Sequence, residues 1–288
     1  MIRLGGRAAP YWRLRRDQSR LEVRNCRFYR NEALGGGAVA AYGNIDVVVD
    51  DVDFLQNAAI TNPTSTSGLQ GLGGAILADD GIASIGGPDA LITLTITNSR
   101  ITDNVALVTG GGIEFSPPRP LTITRTFFQS NKAMNDGGAL ASYGGTLIMD
   151  DVFFWSNSAG FAGGAMVWGP NATGIMTGGQ FDGNFNAIIG RPPSPDIYRL
   201  SDGGGNLATI SCGGTTNRFC DASGFPSTVS TNFNDATCGG ASTGTSPACI
   251  INRIDLPEGG PELPPIGINR AELEPTITWS WPRTRISV

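Results

Sequence analysis

Paired acidic residues are the first candidates for chemistry in this sequence. Asp50-Asp51 and Asp150-Asp151 are adjacent carboxylates of the kind that glycoside hydrolases use as acid and base or nucleophile. A third pair, Asp79-Asp80, has no evident partner in the sequence. Whether any of these pairs can act depends on the structure that positions them.

Other reactive side chains are scarce, which excludes several kinds of enzyme. Histidine is absent, so the 288 residues contain no Ser-His-Asp triad, no Cys-His dyad and no His-ligated zinc site. Lysine occurs once, as Lys132, and we interpret it as a solvated corner residue. Charged residues make up only 16% of the chain, too few for a disordered polyanion or a coiled coil. No apolar run approaches the roughly 18 residues of a transmembrane helix. We also expect no cofactor.

Four of the five cysteines are confined to a short stretch near the C-terminus. This stretch is rich in Gly, Ser, Thr and Asn, and its few apolar residues favour a cap held by disulfides, with three possible pairings. A zinc site is disfavoured because no C-x₂₋₄-C pair occurs. The disulfide candidates are Cys212, Cys220, Cys238 and Cys249. Cys26 lies far from them and is predicted to be an ordinary buried thiol.

An internal repeat organises most of the chain. Six segments align on an asparagine that follows an apolar residue by three positions, and the asparagines are spaced by 26, 47, 27, 26 and 27 residues. The apolar residues are Phe28, Phe54, Ile101, Phe128, Phe154 and Phe181, and the asparagines are Asn31, Asn57, Asn104, Asn131, Asn157 and Asn184. The 47-residue spacing contains two insertions, 60–70 and 79–89, which we interpret as surface loops.

A glycine pair and a short apolar stretch follow five of the six asparagines. These segments are Gly36-Gly37-Ala38-Val39, Gly73-Gly74-Ala75-Ile76, Gly111-Gly112-Ile113, Gly137-Gly138-Ala139-Leu140 and Gly163-Gly164-Ala165-Met166, with Gly112 counted at the alanine position. Glycine suits a sharp corner that needs a positive φ or a close backbone approach.

The pattern within each unit predicts three short strands. Positions −10 and −8, counted back from the asparagine, are nearly all apolar, positions −7 and −6 are polar or turn-forming, and position −3 is again apolar. Three strands and three corners in 26 or 27 residues predict an all-β fold, a parallel β-helix of about six coils spaced by about 4.8 Å. Residues in equivalent positions then form columns, with the aromatic column inside and the asparagines at a corner.

The paired motif Phe-x-x-Asn and Gly-Gly-Ala-(Ile/Leu/Val) resembles the repeat of the polymorphic outer membrane proteins of chlamydiae. The resemblance covers roughly residues 21–190. It implies a right-handed β-helix of the pectin-lyase type at a cell surface, often adhesive. The chain departs from full-length chlamydial proteins because no C-terminal β-barrel translocator is visible in the sequence.

We therefore expect four regions. They are a basic segment at 1–20, the β-helix at 21–200, the cysteine-containing cap at 201–252 and a Pro-rich tail at 253–288. Residues 1–30 contain nine Arg against two acids, a net charge of +7, whereas the remainder carries −12. Basic segments suit nucleic acid or a transit peptide, but we interpret this one as an accidental or truncated start and expect no nucleic-acid partner.

Two functions remain open. The first is a non-catalytic cell-surface or extracellular repeat protein that binds a cell-surface protein or polysaccharide, or that builds a cell coat. The second is a polysaccharide lyase or glycoside hydrolase on the same fold. Asp50-Asp51 and Asp150-Asp151 occupy the same corner three coils apart, about 14 Å, which exceeds the separation of about 5–9.5 Å in glycosidases. We therefore favour the first function.

Two weaker signals remain. Thr93, Thr95 and Thr97, with Thr122 and Thr124, form a small outward threonine array, which strand propensity explains better than ice binding. Asn171 begins an Asn-Ala-Thr sequon and is a candidate for glycosylation in a secreted protein.

Overall fold

The structure is a computed structural model, and it describes residues 2–4, 19–65, 68–79, 91–169, 172–177, 179–186, 197–199, 209–212, 218–220 and 276–280. These residues form strands, turns and bends without a helix. The predicted all-β class is therefore confirmed for the described part of the chain.

The strands are short, and most span two to five residues. In chain order they are β1 (Ile2–Leu4), β2 (Ser19–Tyr29), β3 (Glu32–Ala33), β4 (Val39–Tyr42), β5 (Ile45–Leu55), β6 (Ala58–Ala59), β7 (Ile76–Asp79), β8 (Ile92–Thr97), β9 (Arg100–Thr102), β10 (Val105–Ala106), β11 (Ile113–Phe115), β12 (Leu121–Thr124), β13 (Phe127–Gln129), β14 (Lys132–Ala133), β15 (Leu140–Ser142), β16 (Thr146–Asp150), β17 (Phe153–Trp155), β18 (Ser158–Ala159), β19 (Met166–Trp168), β20 (Thr173–Thr177), β21 (Gln180–Asp182), β22 (Phe185–Asn186), β23 (Ile197–Arg199), β24 (Thr209–Cys212), β25 (Arg218–Cys220) and β26 (Thr276–Ser280).

Three sheets are built by stacking equivalent strands of successive units. Sheet A is ordered β1-β4-β7-β11-β15-β19-β23, and sheet C is ordered β22-β18-β14-β10-β6-β3. Sheet B contains β24-β20-β16-β12-β8-β5-β9-β13-β17-β21-β25 together with β2 and β26. Successive units pair in parallel, as where Phe128 lies opposite Ile101 and Phe154. This stacking is consistent with a parallel β-helix.

Each of the first five units turns three corners, and each of these corners has a residue with a left-handed backbone. The first corner, at position −6, has Asp51 at φ 55° and Asp151 at φ 55°. The second is at position −1, where Ser130 has φ 53°. The third is the first glycine of the pair, for example Gly137 at φ 65°. Only the third corner uses glycine throughout, because a side chain there would also meet backbone of its own unit, as a Cβ at Gly137 would lie 2.4 Å from the Leu140 carbonyl oxygen.

A close approach between the backbones of successive units falls on the second glycine of the pair. A Cβ at Gly111 would lie 2.0 Å from the carbonyl oxygen of Gly138, and a Cβ at Gly138 would lie 2.0 Å from that of Gly164. The pair in the third unit is Gly110-Gly111, one position earlier than the sequence alignment places it. Gly112 takes the alanine position, where a Cβ would lie 2.9 Å from the Cγ2 of Ile101.

Inward side chains of sheets A and B form one core. It contains the apolar residues at positions −10 and −8, among them Leu121 and Ile123, and the large side chains of Phe115 and Trp168. Gly174 occupies position −10 of the sixth unit, where a Cβ would lie 2.3 Å from the Trp168 ring. The indole therefore fills the space that leucine or valine fills in other units.

The outward face of sheet A is covered as well. Leu77, Ala141 and Val167 point outward on this sheet and are fully buried. The cover is the segment that leads into each glycine corner, and its backbone forms parallel bridges from unit to unit. We call it the outer column, and it consists of Gly35, Leu72, Thr109, Asp136 and Ala162.

Two strands from outside the repeat lie on its edges, and both are antiparallel. β1, in the basic N-terminal segment, pairs with β4. β26, in the Pro-rich tail, pairs with β2 and places Trp279 opposite Leu21. In the segment predicted as a cap, β24 pairs with β20 and β25 pairs with β21, so these strands extend sheet B.

Candidate binding surface

The predicted asparagines form a continuous hydrogen-bonded column. The Nδ2 group of Asn131 donates to the Oδ1 of Asn157 at 3.0 Å, and the backbone N–H of Asn131 donates to the same oxygen at 3.0 Å. Asn131 Nδ2 also donates to the Ile101 carbonyl at 2.7 Å. Asn104 in turn donates to the Oδ1 of Asn131 through both its Nδ2 group and its backbone N–H. The same set of bonds recurs along Asn31, Asn57, Asn104, Asn131, Asn157 and Asn184.

Asn131→Ala should therefore destabilise the protein by about 2–4 kcal/mol, because it leaves two donors of Asn104, the Nδ2 group and the backbone N–H, without their acceptor in a buried position. The measurement is the free energy of unfolding in denaturant. Asn135→Ala is the matched control, since this asparagine is exposed and outside the column. Equal losses for the two variants would contradict the role of the column.

The residues at position −3 stack inside the same corner. The rings of Phe28 and Phe54 are 5.1 Å apart, those of Phe128 and Phe154 are 4.9 Å apart, and those of Phe154 and Phe181 are 4.8 Å apart. Each pair is stacked nearly parallel, and Ile101 lies between Phe54 and Phe128 in the register. These columns are structural, and they hold the outward positions −4 and −2 in fixed places on the surface.

The outward side chains of the fourth and fifth units form an aromatic cluster. Phe127 and Phe153 occupy position −4, and Trp155 occupies position −2. The Phe127 ring lies 6.5 Å from Phe153 and 6.3 Å from Trp155, in tilted arrangements. Trp155 is 37% exposed, and both phenylalanines are half-buried. We call these three residues the aromatic cluster. The alternation about Phe128 and Phe154 was sufficient to place them outside, but the sequence analysis did not single them out.

The same column carries charge in the first three units. Asp53 accepts from Arg27 at 2.6 Å and from Arg100 at 3.2 Å. These three charged residues occupy position −4 in the first three units, whereas the fourth and fifth units have phenylalanine there. Next to this column, Asp50 accepts from Thr97, Asn98 and Arg24. The bonds from Thr97 and Asn98, with the Arg24 charge, lower the pKa of Asp50.

The acidic pairs of the sequence lie at corners. Asp51 and Asp151 have the left-handed backbone of the first corner, and Asp50 is engaged in the bonds described above. The structure therefore gives these pairs a role in turning the chain. Asp79 ends β7, and Asp80 lies outside the described residues.

A different acidic cluster, which sequence reasoning missed, lies between sheet A and the outer column. Glu114 on β11 points outward but is only 4% exposed, and it accepts a hydrogen bond from the Thr109 hydroxyl. Burial, followed by the charges of Asp79 and Asp136, raises the pKa of Glu114 to about 8. Burial, followed by the charges of Glu114 and Asp136, raises the pKa of Tyr143. In the sequence Ile113-Glu114-Phe115 reads as ordinary alternation with a solvent-facing acid.

Several predicted residues cannot be placed in full. Cys238, Cys249 and Asn171 lie outside the described residues, and for Cys212 and Cys220 only the backbone is described, at the ends of β24 and β25. The disulfide and glycosylation predictions therefore stay predictions. Cys26 packs against the core, and its thiol donates to the Arg24 carbonyl at 2.9 Å. Lys132 is exposed on β14.

Comparison with protein-family models, with curated proteins and with solved structures gave no match. Within the described residues, no helix is long and apolar enough to cross a membrane. In that same part of the chain, no group of three or more Cys, Asp or Glu residues is arranged to hold a metal ion.

Proposed function

We propose that this chain is a non-catalytic cell-surface or extracellular β-helix repeat protein, which acts in adhesion or in a cell coat by binding a surface protein or polysaccharide. The proposal is supported by the resemblance of its paired motif to the chlamydial polymorphic membrane protein repeat. Its site is the aromatic cluster on the outward face of sheet B. We further propose a right-handed helix of about six coils and a disulfide-stapled C-terminal cap.

The aromatic cluster is the observation that carries this proposal. Aromatic side chains that remain in water on a rigid sheet bring a large apolar area to a partner at little cost in side-chain entropy. The backbone beneath the cluster is held from both sides, because β13 and β17 pair with each other and with β9 and β21. The stacked rings of Phe128 and Phe154 support it from inside. A binding surface of this kind is preorganised before the partner arrives.

The enzyme alternative has one observation in its favour, the buried acid with a raised pKa at Glu114. A general acid must reach its substrate, however, and Glu114 lies beneath Thr109 of the outer column. The half-buried acids Asp50 and Asp53 are engaged by donors on the surface. Binding without catalysis is therefore the better supported proposal.

The test is retention of the purified protein on immobilised probes, namely pectin, alginate, a mucin-type glycoprotein and fixed cells. We expect the wild-type protein to bind at least one probe and to release no soluble sugar from it. Trp155→Ala should weaken that binding by about tenfold or more, because a central aromatic contact often contributes about 2 kcal/mol.

Met134→Ala is the control for exposed apolar area, since Met134 is exposed and lies outside the aromatic cluster. Its retention should equal that of the wild type. Retention that is insensitive to Trp155→Ala would remove the cluster as the binding surface, and release of oligosaccharides by the wild-type protein would favour the enzyme instead.

A further inference from the structure

Glu114 is a carboxyl group among apolar neighbours. In the register of sheet A it lies between Leu77 of β7 and Ala141 of β15, both fully buried. The outer column covers it from outside, where the Thr109 hydroxyl donates to its carboxyl group. None of the ion pairs in the described part of the chain includes Glu114.

Within the described part of the chain, the titratable groups that face Glu114 are acids. Asp79 extends from the end of β7, Tyr143 follows β15, and Asp136 is the neighbour of Thr109 in the outer column. Tyr42 lies one strand further away, opposite Asp79. Among the described residues, an ionised Glu114 would therefore have the carboxylates of Asp79 and Asp136 as charged neighbours and the Thr109 hydroxyl as its donor.

We propose that Glu114, with Asp79 and Asp136, is a pH-sensitive fastener that holds the outer column against sheet A while Glu114 is protonated. In the protonated state, the carboxyl group is neutral and accepts the hydrogen bond of the Thr109 hydroxyl in a buried site. When Glu114 loses its proton to water, a negative charge forms in that site beside two other acids. Because burying such a charge without a cation is costly, the outer column opens locally and admits water.

The opening has a defined extent. The column is held by backbone bonds from Gly73 N–H to the Thr109 carbonyl at 3.0 Å and from Gly110 N–H to the Asp136 carbonyl at 3.0 Å. Breaking these two bonds releases Thr109 above Glu114. The bonds from Val108 N–H to the Gly71 carbonyl at 2.8 Å and from Asn135 N–H to the Val108 carbonyl at 2.8 Å remain, as does the pairing of sheet A. The apolar outward side chains Leu77 and Ala141 then become accessible.

The direction with pH follows from the raised pKa of Glu114. The folded protein binds this proton more tightly than the unfolded chain, so the stabilisation is complete below about pH 4.5 and is lost as the pH rises through about 8. Opening should therefore be rare in mild acid and common in mild alkali.

Hydrogen exchange of the intact protein tests this proposal. Between about pH 6 and about pH 9, protection of the amides of Gly73 and Gly110, corrected for intrinsic rates, should fall by about tenfold or more in the wild type. In Glu114→Gln, which keeps the shape without the charge, protection of both amides should stay constant. Asp150→Asn, at an exposed acid on sheet B, should behave like the wild type.

Two results would overturn the fastener: constant protection in the wild type, or the same loss in Glu114→Gln. A direct titration of the Glu114 carboxyl group in the wild type, by isotope-edited infrared spectroscopy, decides the matter if Glu114→Gln does not fold. We expect a midpoint near 8, and a midpoint near the ordinary value of 4.5 would overturn the proposal.

Discussion

Gly111→Ala should destabilise the protein by about 3 kcal/mol or more. The new Cβ would lie 2.0 Å from the Gly138 carbonyl oxygen and 2.6 Å from two backbone atoms of Lys132. These contacts are with the backbone of the next unit, so no side-chain rotation relieves them, and the units must separate to make room. Denaturant unfolding followed by far-ultraviolet circular dichroism measures the loss.

Gly68→Ala is the matched control for this substitution. A Cβ at Gly68 would meet nothing within 4 Å, and the residue is exposed. We expect a change in unfolding free energy of less than about 0.5 kcal/mol. If Gly111→Ala were equally mild, the close stacking of glycine on glycine would not hold in solution.

Phe128→Ala should cost about 3–5 kcal/mol, since it deletes a fully buried ring from the middle of the inner column. The cavity cannot collapse easily, because Ile101 and Phe154 are fixed by their own strand pairing above and below. The measurement is the denaturation midpoint at an unchanged m-value.

Arg119→Ala serves as the reference, because Arg119 is exposed on the turn before β12. It should shift the unfolding free energy by less than about 0.5 kcal/mol. Coincident midpoints for Phe128→Ala and Arg119→Ala would contradict a packed inner column.

Much of the fold could be predicted from spacing alone. Phenylalanine at −3 and asparagine at 0 recur in register, and a parallel stack is the arrangement that turns such a period into columns. Period-two alternation then assigned the inner and outer faces of sheet B. These features repeat within short stretches of sequence, and the structure stacks the units in parallel.

The sequence did not predict contacts between segments that are not equivalent positions of the repeat. The outer column buries Glu114, although alternation alone would place that side chain in water. Trp168 fills the gap at Gly174, a compensation between strands of two successive units. β26 pairs antiparallel with β2, more than 250 residues away in the chain. This pairing is not part of the repeat, so no periodic pattern in either strand predicts it.

For the candidate binding surface, the sequence predicts the direction of the side chains but not their exposure. The alternation implied that Phe127, Phe153 and Trp155 point outward, but their exposure depends on whether another layer covers them, as one covers sheet A. The three rings remain in contact with water, whereas the outward residues of sheet A do not. Sequence periodicity does not distinguish these two cases.

The corners also determine where the chain can change in length. From position −10 to the asparagine every unit has the same number of residues, and that stretch contains the first two corners. All variation, including both long insertions, falls at the turn from sheet C to the outer column or at the turn from sheet A to sheet B. Those two turns are the natural places for evolution, or for a protein engineer displaying a foreign peptide, to lengthen a unit without disturbing the columns.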